Sequence, residues 1–246
     1  MRRIPGFLML AVLGLLPLAP SNAHAEDALS LVKQAAKNFA QETRGVVGYR
    51  SVSESRINAP MLNQTIRSTT FMVQKDGIPV RAVMERVVTN GKETSAEELS
   101  KQEAKTNASY QDGKGYFKAP YDPRYMDAYT FQLESCSDCA PGFKAIRFSS
   151  SLKDEQYGKG VFILDEALRV REVRCTPNAY PPNVTRGEMI FFRDEVGKGI
   201  FALRNAKVDY QGSMGPLKGT FVMDMRNDGF RRFASVEEAI AQFKAP

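Results

Sequence analysis

The segment Arg67–Gly91, RSTTFMVQKDGIPVRAVMERVVTNG, indicates most directly how this chain folds. Within its first nine residues, Phe71 and Val73 share one face of a strand and Ser68, Thr70 and Gln74 share the other, as in a half-buried β-strand. Lys75-Asp76-Gly77 is a turn signal, and a second alternating run extends from Ile78 to Thr89. Asn90-Gly91 then gives the strongest short hairpin signal in the chain. This order of strand, turn, strand and turn predicts antiparallel pairing.

The same period of two extends over most of the chain after Gly45, although the alternation is weak on Gly45–Val52. Alternating runs recur at Tyr129–Glu134 and Ala145–Ser149, and again near the C-terminal end of the sequence. About ten strands at hairpin spacing predict one antiparallel sheet. Most of these strands have one apolar and one polar face. We therefore expect a curved antiparallel sheet rather than a parallel α/β fold, whose strands are apolar on both faces.

Three helices accompany the predicted strands. From Asp27 to about Thr43, apolar residues recur at helical spacing and give the helix one apolar face. Capping boxes, in which each side chain can bond the other's backbone N–H, start two further helices. These are Ser95/Glu98 before a helix from Ala96 to about Lys105, and Ser235/Glu238 before a helix that ends near Phe243. The predicted class is mainly β, with a smaller α content.

The first 25 residues have the features of a secretory signal peptide. Arg2 and Arg3 precede the apolar run Phe7–Leu18, and a small-residue cleavage site follows at Ala23-His24-Ala25. The apolar run is too short to span a bilayer, which takes about 20 residues. We expect cleavage near Ala25 and a single β domain over residues 26–246. In a bacterial source, that domain would be periplasmic.

Composition excludes several kinds of chemistry. The only histidine, His24, lies in the predicted signal peptide. Without an imidazole, Ser-His-Asp and Cys-His arrangements cannot be built, and the commonest metal ligand is missing. The formal net charge of +6, to which Arg2 and Arg3 contribute, is too mild for a nucleic-acid footprint. We expect no enzyme activity, no cofactor, no metal and no nucleic-acid partner.

Three cysteines occur in the chain: Cys136, Cys139 and Cys175. In an oxidising compartment two of them are expected to be bridged, either Cys136 with Cys139 or one of these with Cys175. The C-x-x-C spacing lacks the βαβ context of a thioredoxin motif, and no histidine follows it as haem attachment requires. We therefore expect a structural disulfide.

The segment Tyr110–Tyr129 has no periodicity and is rich in tyrosine, glycine and proline. A loop of this length in a compact domain tends to be functional or mobile. Two interpretations are open. The rings can pack over an edge of the sheet, or the loop can be a docking surface for a protein partner.

Two segments resemble those of periplasmic outer-membrane lipoprotein carriers and their lipid-binding relatives. They are Gly45-Val46-Val47-Gly48-Tyr49-Arg50, directly after the first helix, and Gly160–Arg171 (GVFILDEALRVR). The resemblance covers the whole chain after the signal peptide and includes no catalytic signature. It implies a half-open β-barrel with a few helices as a lid over an apolar cavity. It also implies binding of the acyl chains of lipids or lipoproteins, with donor and acceptor proteins at the inner and outer membranes.

The side chains on the apolar faces of the predicted strands are candidates for the lining of such a cavity. Unbranched, polarizable methionine suits a ligand of variable shape. Ordinary core packing is an equal alternative for each candidate. The alternative function is an envelope sensor or an assembly module that uses the same fold to bind a protein. The ten predicted ligand-binding residues are Phe71, Val80, Met84, Tyr129, Phe131, Leu133, Ile146, Phe148, Phe221 and Met223.

Overall fold

A computed structural model describes residues 23–60, 62–214 and 217–244, which form three α-helices and eleven β-strands. The predicted signal peptide lies outside the described residues as far as residue 22. None of the helices in the described part of the chain is long and apolar enough to cross a membrane. The helices are α1 (Ala23–Glu42), α2 (Ala96–Gln111) and α3 (Val236–Lys244). The strands are β1 (Val46–Ala59), β2 (Leu62–Lys75), β3 (Ile78–Thr89), β4 (Lys92–Glu93), β5 (Tyr129–Glu134), β6 (Lys144–Ser150), β7 (Gly158–Leu164), β8 (Val170–Pro177), β9 (Val184–Gly197), β10 (Ile200–Met214) and β11 (Leu217–Phe233).

All eleven strands belong to one curved, open, antiparallel sheet, which confirms the predicted fold class. The strand order is β4-β3-β2-β1-β11-β10-β9-β8-β7-β6-β5. Neighbours in the sequence are paired throughout, except that β4 and β5 form the two edges of the sheet and that β1 pairs with β11. This one long-range pairing joins two meanders, and it places the first and last long strands in the middle of the sheet.

The two predicted hairpin turns have the backbone that their residues favour. Asp76 and Gly77 have φ values of 50° and 81°, and Asn90 and Gly91 have values of 50° and 82°. Positive φ at both central residues is the type I′ turn, whose twist matches that of the flanking strands. The turns at Asp76-Gly77 and Asn90-Gly91 are thus confirmed.

The register of the ladders defines two faces of the sheet, because residues directly opposite each other on paired strands share a face. We call the inner face the side on which α1 packs. It carries the buried apolar residues of β5 to β10, including Ile146, Phe162 and Val208. The outer face carries charged side chains, such as Glu54 and Arg67. Polar outside and apolar inside is the pattern predicted from the alternation.

The main core lies between α1 and the inner face. The apolar stripe of α1 buries Val32, Ala35 and Phe39 against the side chains of β5 to β10. A fully buried Val or Phe side chain contributes about 1.5–3 kcal/mol. This stripe fixes α1 along one half of the sheet.

Helix α3 packs on the outer face. Phe243 stacks on Phe71 with ring centroids 4.3 Å apart, and Ala239 is fully buried between the helix and the sheet. The Ser235 hydroxyl accepts from the backbone N–H of Glu238 at 3.1 Å, as predicted for a helix start. The carboxylate of Glu238 accepts from the N–H of Ala234, one residue before the expected donor.

Helix α2 covers the edge of β3, next to the two-residue strand β4. The side-chain amide of Asn107 accepts from the N–H of Ala82 at 2.7 Å and donates to the Ala82 carbonyl at 3.0 Å. The Glu103 carboxylate accepts from the N–H of Met84 at 2.9 Å. An open strand edge invites pairing with other chains, and these side chains occupy its backbone groups instead. The helix continues six residues beyond the predicted end at Lys105, to Gln111.

Candidate functional site

The inner face of the central strands forms rows of side chains that run across the sheet. We call the inner-face residues of β11 and β1 the inner strip. On β11 they are Phe221, Met223, Met225 and Asn227, and on β1 they are Ser51, Ser53, Ser55 and Ile57. The pairs across this ladder are Ser51–Asn227, Ser53–Met225, Ser55–Met223 and Ile57–Phe221. All four rows continue into β2, and the rows of Met225, Met223 and Phe221 also continue into β10.

The apolar part of the inner strip is only half buried. Phe221, Met223, Met225 and Ile57 keep part of their surface accessible, whereas Ile146 and other residues of the main core are fully buried. The alternate residues of β11 confirm the assignment of faces, because Asp224 and Arg226 are exposed on the other side. An apolar surface is therefore available beside the part of the inner face that α1 covers.

The polar part of the inner strip is more deeply buried. Ser51 and Ser55 are each 8% exposed, and the hydroxyls of Ser53 and Ser68 are hydrogen-bonded at 2.8 Å. Asn227 is 3% exposed. On β11, Met225 and Met223 lie opposite Ser53 and Ser55. On β2, Thr70 and Ser68 lie opposite Ser51 and Ser53, so the polar side chains extend over two strands beside the methionines of β11.

Asn227 has one satisfied and one unsatisfied amide atom. Its Nδ2 donates to the carbonyl of Leu203 at 2.9 Å, at the point where the register of β10 shifts against β9. Its Oδ1 is buried and has no hydrogen-bond partner among the described residues. Because the Nδ2 bond fixes the orientation of the amide, the free atom is an acceptor. Buried acceptors without a donor are rare in folded proteins.

The structure divides the ten predicted ligand-binding residues into three groups. Tyr129, Ile146 and Phe148 are buried in the main core, and Phe131 and Leu133 pack against it. Phe71 and Val80 belong to the separate cluster beneath α3. Phe221 and Met223 also pack against the main core but lie on the inner strip, and Met84 lies beside the strip. The ten residues are therefore not brought together in one place, and their role in binding stays a prediction.

Sequence reasoning missed most of the inner strip. Met225 shares the phase of Phe221 and Met223 and could have been included on that signal. Ile57 could be assigned only once its register with Phe221 was known. The serines and Asn227 give no hydrophobic signal at all.

A buried ion pair holds the C-terminal turn of α1. Arg193 is 5% exposed, lies 3.3 Å from Glu42 and donates to the carbonyl of Phe201 at 3.2 Å. Its guanidinium also stacks over the rings of Phe39, Tyr121 and Phe201, at 4.9, 5.7 and 5.1 Å. Burial raises the pKa of Glu42, while the charge of Arg193 acts to lower it. The pair ties α1 to strand β9.

The tyrosine-rich loop between α2 and β5 packs inward. The ring of Tyr121 contacts Phe39 and Phe162 with centroids 5.2 and 5.7 Å away, and burial raises the pKa of Tyr121 to about 12. The amide of Gln156 donates to the carbonyls of Gly113 and Tyr116 and so anchors the loop. The loop thus packs Tyr121 into the main core, whereas the first interpretation placed its rings over an edge of the sheet.

Cys136 and Cys139 form the disulfide, which selects one of the two pairings left open by the sequence. Cys175 is free and lies buried on the inner face, in the main core. Burial raises the pKa of its thiol. The structure therefore gives Cys175 an apolar environment in which the reactive thiolate is disfavoured.

The outer face offers a different kind of surface. A groove of about 600 Å³ lies over the central strands, and its lining includes Glu54, Arg67, Arg86 and Lys207. Glu54 is paired with Arg67 at 2.8 Å, so part of this charge is neutralised locally. The lining also includes Val52 and Val88, so this groove combines apolar side chains with charged ones.

No family model and no curated protein matches the chain. Solved structures do match it. One is an outer-membrane lipoprotein-sorting protein domain from Vibrio parahaemolyticus, at 12% identity and a TM-score of 0.47, covering 89% of this chain and 98% of that one. Another is a DUF1329 family protein from Desulfovibrio piger, at 9% identity and a TM-score of 0.41, covering 85% and 94%. A third is a LolA superfamily protein from Nitrosomonas europaea, at 10% identity and a TM-score of 0.39, covering 85% and 95%.

Proposed function

We propose that this protein is a periplasmic carrier that binds acyl chains of lipids or lipidated proteins on the inner strip and transports them toward the outer membrane. The observation that carries the proposal is the half-buried apolar row Phe221, Met223 and Met225, which continues the main core without being sealed by it. No chemical step is involved. The protein holds the chain away from water and releases it to an acceptor.

The energetics of hydrocarbon favour such a surface. Each acyl methylene removed from water is worth about 0.8 kcal/mol, so a lipid with two or three chains cannot cross an aqueous space unaided. Methionine side chains can adapt to chains of different length and shape. Moderate burial also leaves release possible, because a chain on a half-open surface gives up fewer contacts than one in a sealed core.

Two features of the chain support the proposed periplasmic location. Residues 1–25 have the pattern of a secretory signal, and the Cys136–Cys139 disulfide suits an oxidising compartment. A carrier in that compartment requires a donor at the inner membrane and an acceptor at the outer membrane. We propose both as partners of this protein.

The absence of tryptophan from the sequence allows a direct test. In Phe221→Trp, the only indole of the protein is placed on the inner strip. In Val222→Trp, it is placed one residue further on, on the outer face. Each protein is titrated with dibromostearic acid, whose bromine atoms quench an indole on contact. We expect saturable quenching in Phe221→Trp and weak, non-saturable quenching in Val222→Trp.

Equal quenching of the two proteins, or none in either, would contradict the proposed site. Mass spectrometry of organic extracts provides an independent check. Protein purified from its own host should contain acyl lipids in a fixed ratio to protein, and Met223→Glu should lose them. Arg226→Glu, with an exposed outer-face position on the same strand, is the matched control.

The alternative of a protein-docking module makes a different prediction. If the loop between α2 and β5 were the functional surface, replacing its exposed residue Lys114 would reduce capture of a partner and leave bound lipid unchanged. Under the carrier proposal, substitutions on the inner strip control lipid content instead.

A further inference from the structure

The inner strip contains a feature that an acyl chain alone does not explain. Asn227 lies at one end of the apolar row of β11, followed at every second position by Met225, Met223 and Phe221. The amide oxygen of Asn227 is buried and has no partner among the described residues. A hydrocarbon chain cannot satisfy this oxygen, because it has no donor.

The neighbouring strand provides the complementary group. Ser51 lies directly opposite Asn227 in the β1–β11 ladder, and opposed side chains in such a pair are close together. Ser51 is 8% exposed, and its hydroxyl is both a possible donor and a possible acceptor. An acceptor and a donor therefore lie side by side at the end of an apolar row.

The length of the row fits a single acyl chain. Six residues of β-strand separate Asn227 from Phe221, which corresponds to about 20 Å. This is close to the length of an extended palmitoyl chain. A chain that lies along Met225, Met223 and Phe221 would place its root, where it joins the rest of the ligand, beside Asn227 and Ser51.

We propose that Asn227 and Ser51 form a polar subsite for ligands that carry a hydrogen-bond donor at the root of the acyl chain. An amide N–H donates to Asn227 Oδ1, and the amide carbonyl accepts from the Ser51 hydroxyl. A hydroxyl on the acyl chain can donate to the same oxygen. An ester has no donor and leaves Asn227 Oδ1 unsatisfied. The inference rests on the proposed function and adds the chemical class of the ligand to it.

The test compares ligands that differ only in this group. N-palmitoylglycine and O-palmitoyl glycolic acid form an amide–ester pair, and β-hydroxypalmitic and palmitic acid form a hydroxyl pair. Each compound competes with dibromostearic acid for the Phe221→Trp protein, and recovery of indole emission gives its affinity. The Phe221→Trp protein is the parent protein of this test, and the variants below are made in it. One net hydrogen bond predicts that the donor-bearing member of a pair binds about five-fold more tightly. Preference within the first pair identifies an amide ligand, and preference within the second a hydroxyacyl ligand.

Substitution of Asn227 tests whether this residue causes the preference. In Asn227→Leu the acceptor is replaced by an apolar group of similar size, and we expect the affinity ratio within each pair to approach one. The ratio is the informative quantity, because a general loss of packing would weaken both members equally. Asn205→Leu, at an outer-face position of β10, should keep the ratio of the parent protein.

The outcomes separate this inference from the proposed function. If both members of each pair bind equally to the parent protein, the polar subsite is wrong while acyl binding stands. If Asn227→Leu retains the five-fold preference, the subsite is also wrong, because another group makes the bond. If no acyl compound binds at all, both proposals fail. The ratio in the parent protein decides the matter even if Asn227→Leu does not fold.

Discussion

Replacing Arg193 with methionine should destabilise the protein strongly. The change keeps an unbranched apolar stem but removes the guanidinium with its charge, its bond to the Phe201 carbonyl and its stacking on Phe39. The carboxylate of Glu42, whose side chain is 13% exposed, would remain without its partner. Removing one member of a buried ion pair costs about 3–5 kcal/mol, because the other charge stays buried and uncompensated. We expect a loss of this size in the free energy of unfolding.

The loss should depend on pH in a defined direction. Burial already raises the pKa of Glu42, and removal of Arg193 takes away the largest influence that lowers it. A carboxyl group with a raised pKa in the folded state contributes most below its unfolded pKa, and the contribution is lost as the pH rises through the folded value. The Arg193→Met protein should therefore be closer to the parent protein in stability at about pH 4.5 than at about pH 7.5.

Urea unfolding followed by circular dichroism measures both effects. Two further variants make the test specific. Glu42→Gln combined with Arg193→Met should recover part of the loss, since no charge is then left buried. Arg204→Met removes a half-exposed arginine that lies 3.3 Å from Asp194, and it should cost less than about 1 kcal/mol. A loss below about 1 kcal/mol in Arg193→Met, or no recovery in the double variant, would refute the reasoning.

Three further predictions follow from individual contacts. Asn107→Ala removes two hydrogen bonds to the backbone of Ala82 and should lower the free energy of unfolding by about 2–4 kcal/mol. It should also speed hydrogen exchange at the Ala82 amide, and unchanged exchange would contradict the role of α2 as a cover of the β3 edge. Cys175 should react with a thiol reagent only after unfolding, because it is 2% exposed, whereas fast labelling of the native protein would contradict its burial. Gly160→Ala places a Cβ 2.0 Å from the Arg174 carbonyl oxygen, so the free energy of unfolding measured by thermal denaturation should fall by at least about 3 kcal/mol. A variant as stable as the parent protein would contradict the close approach of β8 to Gly160.

The sequence was a good guide wherever local chemistry determines structure. Asn90-Gly91 and Asp76-Gly77 specify their turns through backbone conformations that few other residue pairs adopt. Ser95 and Ser235 mark helix starts in the same local way. Pairing of β1 with β11 was not predictable, because it joins residues almost 180 positions apart and depends on the whole sheet.

The placement of the apolar residues shows a second limit. Period-two alternation tells which side chains share a face of one strand, but it does not tell which face of the sheet that is. Phe71 and Val80 pack beneath α3, on the outer face, although their pattern is the same as that of inner residues. The apolar stripe of α3 can be recognised from its sequence, but the strand face that it covers cannot. A prediction of cavity residues from alternation therefore mixes the two faces.

The weak alternation in the first strand has a physical meaning that becomes clear only in the fold. Ser51, Ser53 and Ser55 lie on the inner face, where other strands carry apolar residues, so the hydrophobic signal of β1 is reduced there. A buried polar group is costly unless it is hydrogen-bonded, and a row of them would not stabilise an ordinary core. The same row is suitable beside a ligand that brings its own polar group to the end of an apolar chain. Under the proposed function, β1 would therefore contribute to the choice of ligand through Ser51.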